Sequence, residues 1–142
     1  MYRRSVHLQI KKNNQKKINP LVLNISNPSP AFGMNSEERM SFLDRTKVDL
    51  VLALAVIHHL AISKNIPFEL ISKLFSMLGS TLIVEFVPKE DEKIKLMLEG
   101  RKDVFFDYSE DNFLKSFMLY YKLIASEMIG TTGRKLYLME RL

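Results

Sequence analysis

Two kinds of apolar pattern run along the chain. In "DLVLALA" (49–55) and "STLIVEFVP" (80–88) hydrophobic residues follow one another with hardly a polar gap. In "IPFELISKLFSML", by contrast, Leu70, Ile71, Leu74, Phe75 and Leu78 recur at i, i+1, i+4, i+5 and i+8. The first pattern predicts strands buried on both faces, as in parallel sheets with helices on either side. The second predicts one face of a helix, ended by Gly79. Strand, helix and strand within about forty residues make a βαβ unit.

The flanking pattern extends this unit. Residues 2–16 place Tyr2, Val6 and Ile10 four apart, a thin apolar stripe on an otherwise polar helix. "INPLVLNIS" (18–26) predicts a short buried strand, and "NPSPAFGMN" (27–35) is a loop because proline, glycine and asparagine crowd it. A short helix is expected near Ser36, with its hydroxyl as cap and Glu37 and Glu38 at the positive end. Glu90, Asp91 and Glu92 open another helix running to about Gly100, and Ser109 caps one whose core face is Phe113, Leu114, Phe117 and Met118. "YYKLIASEMI" and "RKLYLMERL", joined by "GTTG", predict a terminal antiparallel hairpin over 120–142. The expected fold is therefore an open α/β sheet in a single domain, 1–142, mostly parallel with an antiparallel pair at its end.

Composition narrows the class. The chain has 142 residues, 46% hydrophobic and 26% charged, as in an ordinary soluble domain. It has no cysteine, which excludes disulfides and thiolate metal sites and fits a reducing cytosol. No signal peptide or membrane-length apolar run is legible, so a cytoplasmic protein is expected. The net charge of +5 is unevenly placed. Arg3, Arg4, Lys11, Lys12, Lys16 and Lys17 lie in the first seventeen residues without an acid, leaving 15 basic against 16 acidic residues elsewhere. A nucleic-acid-binding domain would be expected to carry its basic face on the folded body; here a solvated basic helix is the simpler reading, and a nucleic-acid partner is not expected.

His58 and His59 close the first apolar run. In open α/β sheets, ligands bind outside the carboxyl ends of strands, which is where this pair falls. Zinc is not expected, because His7 is the only other histidine and adjacent histidines do not readily share one ion. Two readings stay open: residues that cap the following turn, or residues that touch a ligand.

At this point a resemblance enters. "DLVLALAVIHHLAI", then a helix, then "LIVEFVPKED", resemble the fourth and fifth strands of class I S-adenosylmethionine-dependent methyltransferases, and the hairpin resembles their sixth and seventh. "NPSPAFG" followed by "ER" and the histidine strand is similar to the nodulation-protein-like methyltransferases of bacteria. The resemblance implies an incomplete Rossmann-like sheet with strand order 3-2-1-4-5-7-6. It implies S-adenosylmethionine as cofactor, with Asn24 accepting from the adenine amino group and Ile25 facing the adenine ring. Ala53 and Leu54 would offer carbonyls to the methionine ammonium, and His58 would border the methyl-donor pocket. His59 and Glu85 would contact the acceptor or remove its proton. For Glu85 a purely structural role, as a buried hydrogen-bonded strand residue, is the alternative.

The family's glycine-rich turn after its first strand is missing: none of the five glycines is paired after an early strand. The match begins at the helix before the third strand, so the first two strands are expected to be absent. That leaves strand three without a neighbour and strand four with a bare edge. The sequence is therefore consistent with the carboxyl-terminal part of a methyltransferase completed by another segment or chain. It is also consistent with a non-catalytic interaction module that self-associates or binds a partner through that edge. The methyl acceptor is not legible.

Overall fold

The computed structural model describes residues 18–19, 21–99 and 104–142; the expected basic helix over 1–17 and Gly100 lie outside them. Four strands form one sheet: β1 (Val48–Ala53), β2 (Gly79–Phe86), β3 (Tyr121–Ile129) and β4 (Arg134–Arg141). Their order is β1-β2-β4-β3. The helices are α1 (Phe42–Arg45), α2 (Phe68–Leu78), α3 (Glu92–Leu98) and α4 (Glu110–Phe117). A 3₁₀ turn at Met34–Ser36 and a π-helical turn at His59–Ser63 complete the set.

The βαβ unit forms as its pattern predicts. β1 runs parallel to β2 from Val48 opposite Gly79 to Ala53 opposite Val84. Gly79 is needed at the start of β2, because a Cβ there would lie 2.9 Å from Val51 Cγ2 and 3.0 Å from the Val48 carbonyl oxygen. α2 buries Phe68, Ile71, Ser72, Phe75 and Leu78, and Leu70, expected on that face, points outward and is exposed. In α4 the Ser109 hydroxyl accepts the Asn112 N–H at 3.3 Å, the cap foreseen from sequence. Phe113 and Phe117 are fully buried, while Met118 is exposed. Phe68, Phe86, Tyr108, Phe113 and Tyr137 pack as one aromatic cluster between the helices and the sheet, and the Tyr108 hydroxyl donates to the Val87 carbonyl at 2.7 Å.

Three expectations need correction. Only one of the three described pairings is parallel; β4 runs antiparallel to both β2 and β3. The sheet is mixed rather than mostly parallel. An apolar run encodes burial and carries no information on direction, and β4 encloses β2 as well as a parallel strand would. Residues 18–26 are no strand in their described part: Leu21 and Val22 are each 73% exposed, and the chain turns at Asn24, whose carbonyl accepts the Asn27 N–H at 3.1 Å. A lone strand has nothing to satisfy its N–H and C=O groups, so apolar content alone does not make one. The helix expected at Ser36 starts instead at Phe42, with the Ser41 hydroxyl accepting the Asp44 N–H at 3.1 Å.

The register also separates the two faces of the sheet. Val51, Ala53, Leu82, Val84, Phe86, Tyr137 and Met139 share the side on which the aromatic cluster packs. Val48, Leu50, Leu52, Thr81, Ile83, Leu136, Leu138 and Glu140 share the other, where none of them is buried. The uninterrupted apolar strands predict two covered faces; among the described residues one is covered along its length, and the other only at the end where Glu85, opposite Leu136, is buried.

Candidate functional site

The carboxyl end of β1 meets β2 in a polar knot. β1 ends at buried Ala53; Leu54 is half exposed, and Ala55 takes the left-handed conformation with φ of 53°. A residue with a Cβ adopts that conformation at some cost, so something must hold it there. The Ala55 N–H donates to Glu85 Oε2 at 2.8 Å, from the neighbouring strand. Glu85 is itself buried, and its Oε1 accepts from Arg134 Nη1 at 3.3 Å. Arg134 Nε donates to Asp91 Oδ2 at 2.7 Å, and Asp91 Oδ1 accepts the Lys93 N–H at 2.9 Å, capping α3. One guanidinium thus joins the start of β4, the body of β2 and the entry to α3. The Arg134 hydrogen bond holds the Asp91 carboxyl below its ordinary range, and Asp91 in turn raises Arg134.

Beyond Ala55 the chain returns to the core at Ile57, and the histidine pair follows. His58 is 3% exposed, whereas His59 faces solvent; their ring centroids lie 4.3 Å apart at 40°. The turn is anchored by buried Leu60 and Ile62. Burial pushes the His58 imidazole down to about 4, helped by repulsion from His59 and Arg134 and opposed by Glu85 and Asp91. It is therefore neutral at physiological pH. Its Nδ1 has no hydrogen-bond partner among the described residues, and it makes no capping bond to the following turn. The capping reading of His58 is set aside by that geometry.

Ala53, Leu54, His58, His59 and Glu85 are thus gathered at one end of the sheet. Asn24 and Ile25 are not part of that group. The Asn24 side chain lines an open groove of about 750 Å³ with Leu21, Leu23, Arg39, Phe42 and Arg45, and its Oδ1 accepts from Ser26 Oγ at 2.7 Å. Ile25 packs against the apolar core. Neither histidine, nor Ala53, Leu54 or Glu85, lines that groove. A second cleft of about 440 Å³, between residues 61–69 and 104–116, contains none of the expected site residues. The two halves of the expected nucleoside site share no cavity, so the described residues do not by themselves fit S-adenosylmethionine. No group of three or more His, Cys, Asp or Glu side chains able to hold a metal occurs among the described residues. No described helix is long and apolar enough to cross a membrane.

Sequence reasoning missed Arg134 and Asp91. Arg134 follows the hairpin turn, where a cation reads as solvent-facing, and Asp91 sits in the acidic run "KEDEK", where it reads as a helix-dipole residue. A buried Glu on an apolar strand was the available signal: a buried carboxylate calls for a cation or several N–H donors.

No protein-family model matches the chain, and no solved structure matches it. It is similar to Nodulation protein NoeA of Rhizobium meliloti (strain 1021), 40% identical over 126 residues, which is 89% of this chain and 26% of NoeA. The chain spans about a quarter of the length of the curated relative it matches.

Proposed function

We propose that the chain is the carboxyl-terminal part of a class I S-adenosylmethionine-dependent methyltransferase, competent only when a further segment or chain completes its sheet. The observation that carries this reading is the strand order. β1-β2-β4-β3, with the last strand inserted antiparallel beside β2, is the order that the fourth, fifth, seventh and sixth strands of that fold would have. The histidine turn directly after β1, and the likeness to about a quarter of a longer protein, support the same reading.

The residue roles are part of the same proposal. Ala53 ends β1 and Leu54 follows it, and their carbonyls would face the methionine moiety, with neutral His58 bordering the methyl-donor pocket. Exposed His59 is better placed than Glu85 to meet an acceptor, because both Glu85 oxygens are already engaged by Ala55 and Arg134. Glu85 is read here as a positioning residue. Asn24 and Ile25 would reach the adenine only after the missing strands draw residues 18–26 into the sheet. A non-catalytic interaction module is the second reading, favoured by the ion pair that occupies Glu85 and by the absent glycine-rich turn.

Calorimetric titration with S-adenosylmethionine tests the proposal. The chain alone is expected to show no tight binding. The same chain fused behind a strand-bearing upstream segment with a Gly-x-Gly turn is expected to bind, and to lose binding when Leu54 is replaced by Pro. A folded fusion that ignores the cofactor sinks the methyltransferase reading and leaves the module.

A further inference from the structure

The carboxylates of Glu85 and Asp91 each complete a local task without help. Glu85 Oε2 accepts the Ala55 N–H at 2.8 Å, and Asp91 Oδ1 accepts the Lys93 N–H at 2.9 Å as the cap of α3. What Arg134 adds is a connection. Its Nη1 donates to Glu85 Oε1 at 3.3 Å and its Nε to Asp91 Oδ2 at 2.7 Å. The hairpin register delivers it there: Leu136 stands opposite Glu85, so Arg134, two residues earlier, shares the Glu85 face of the sheet.

From Ala55 the geometry passes into the histidines. Ala55 lies between β1 and the turn, at a φ of 53° that a residue with a Cβ takes up only under constraint. The peptide that follows it decides where the Val56 carbonyl points. That carbonyl accepts the N–H of His59 at 3.0 Å and of Leu60 at 3.2 Å, the first bonds of the turn. A rotation at Ala55 therefore carries His59 with it.

We propose that Arg134 is a positioning residue for the histidine turn: anchored by Asp91 at the entry to α3, it fixes the Glu85 carboxylate, and through Glu85 and Ala55 it sets the direction in which His59 is presented. The inference deepens the reading above and rests on it for the chemistry of the turn; the coupling itself requires no cofactor. A purely stabilising role fits the arrangement less well. Side-chain exposure is 19% for Arg134, 9% for Glu85 and 7% for Asp91, and ions so far withdrawn from water return little net stability. Each carboxylate also has its backbone partner already. What the guanidinium supplies is the choice of one conformation, and a left-handed alanine needs that choice made for it.

Amide exchange and scalar couplings of the full 142-residue chain, read by nuclear magnetic resonance, test the coupling. R134M is expected to speed exchange at Ala55 at least about tenfold relative to the β2 amides, because the carboxylate holding that N–H loses its own partner. The couplings should show Ala55 leaving the left-handed region, and the His59 ring signals should move. D91N keeps an acceptor for the Lys93 N–H and reaches Ala55 only through Arg134; it is expected to act in the same sense by a smaller factor. Exchange that rises equally at Ala55 and along β2 is ordinary loss of stability and overturns the proposal. An Ala55 indifferent to both substitutions overturns it too, since Glu85 then holds the turn unaided. If R134M does not fold, D91N decides: unchanged exchange at Ala55 sinks the role, and faster exchange at Ala55 than along β2 upholds it. A completed fusion that shows the coupling but takes up no S-adenosylmethionine refutes the methyltransferase reading and leaves Arg134 in its role. A fusion that binds the cofactor while Ala55 ignores R134M overturns the role alone.

Discussion

The two edges of the sheet are managed in opposite ways. β3 ends the sheet with a register shift between Leu123 and Ala125 and with exposed Lys122 and Glu127 along its length. A bulge and charges of both signs are the devices by which an edge strand refuses further pairing. β1, at the opposite edge, reads Val-Asp-Leu-Val-Leu-Ala with no bulge in its pairing to β2. Among the described residues, one edge is finished and the other is not. The faces repeat the contrast: aromatic rings fill the side of Tyr137 and Met139, while among the described residues Leu50 and Leu52 on the other side are exposed and Ile83 and Leu138 only half-buried. Among the described residues the sheet is thus complete at its hairpin end and open at β1.

Substitutions should sort along that division. Phe113→Ala, at the centre of the finished side against Phe68, Phe86, Phe117 and Tyr137, is expected to cost about 3–5 kcal/mol in denaturant unfolding. A loss below 1 kcal/mol there would mean that the aromatic layer is not the core.

Acid probes the junction between the sides. His58 titrates near 6.5 when unfolded and about 4 when folded, so between those values only the unfolded chain takes up the proton. Stability is then full above pH 6.5 and falls as pH drops to 4, by roughly 3 kcal/mol at about 1.4 kcal/mol per unit. The effect should appear as a falling denaturation midpoint that His58→Leu flattens; an unchanged slope in the variant would place the titration elsewhere. Asp91 and Glu110, both held low by their cation partners, add to the loss at the acid end.

Leu52→Lys on the unfinished side should change stability by no more than about 0.5 kcal/mol, because little area is lost from water. The same change should reduce aggregation measured by light scattering, since it guards the edge with a cation. A large loss of stability would show the face to be covered in solution by the chain's own residues.

Much of the fold was legible in the linear pattern. β2, α2, α4 and its Ser109 cap, and the hairpin turning through Gly130 and Gly133 at positive φ, sit where propensity and periodicity place them. These features depend on neighbours in sequence. The site was legible at the histidines, where the apolar run ends past a strand, and at Glu85, read as a buried hydrogen-bonded strand residue. Arg134 and Asp91 were not, because a charged residue looks the same in a chain whether it meets water or a buried carboxylate forty-nine residues away.

By itself, the sequence determined the βαβ unit, the terminal hairpin and the chemical types available at the end of β1, since local hydrogen bonding and side-chain period decide those. Tertiary structure alone decided that residues 18–26 stay out of the sheet in their described part and that Glu85 is held by Arg134. Each of those outcomes depends on which distant backbone or charge is present to be a partner. An apolar segment becomes a strand only where another edge receives it, and Leu21–Leu23 have found none.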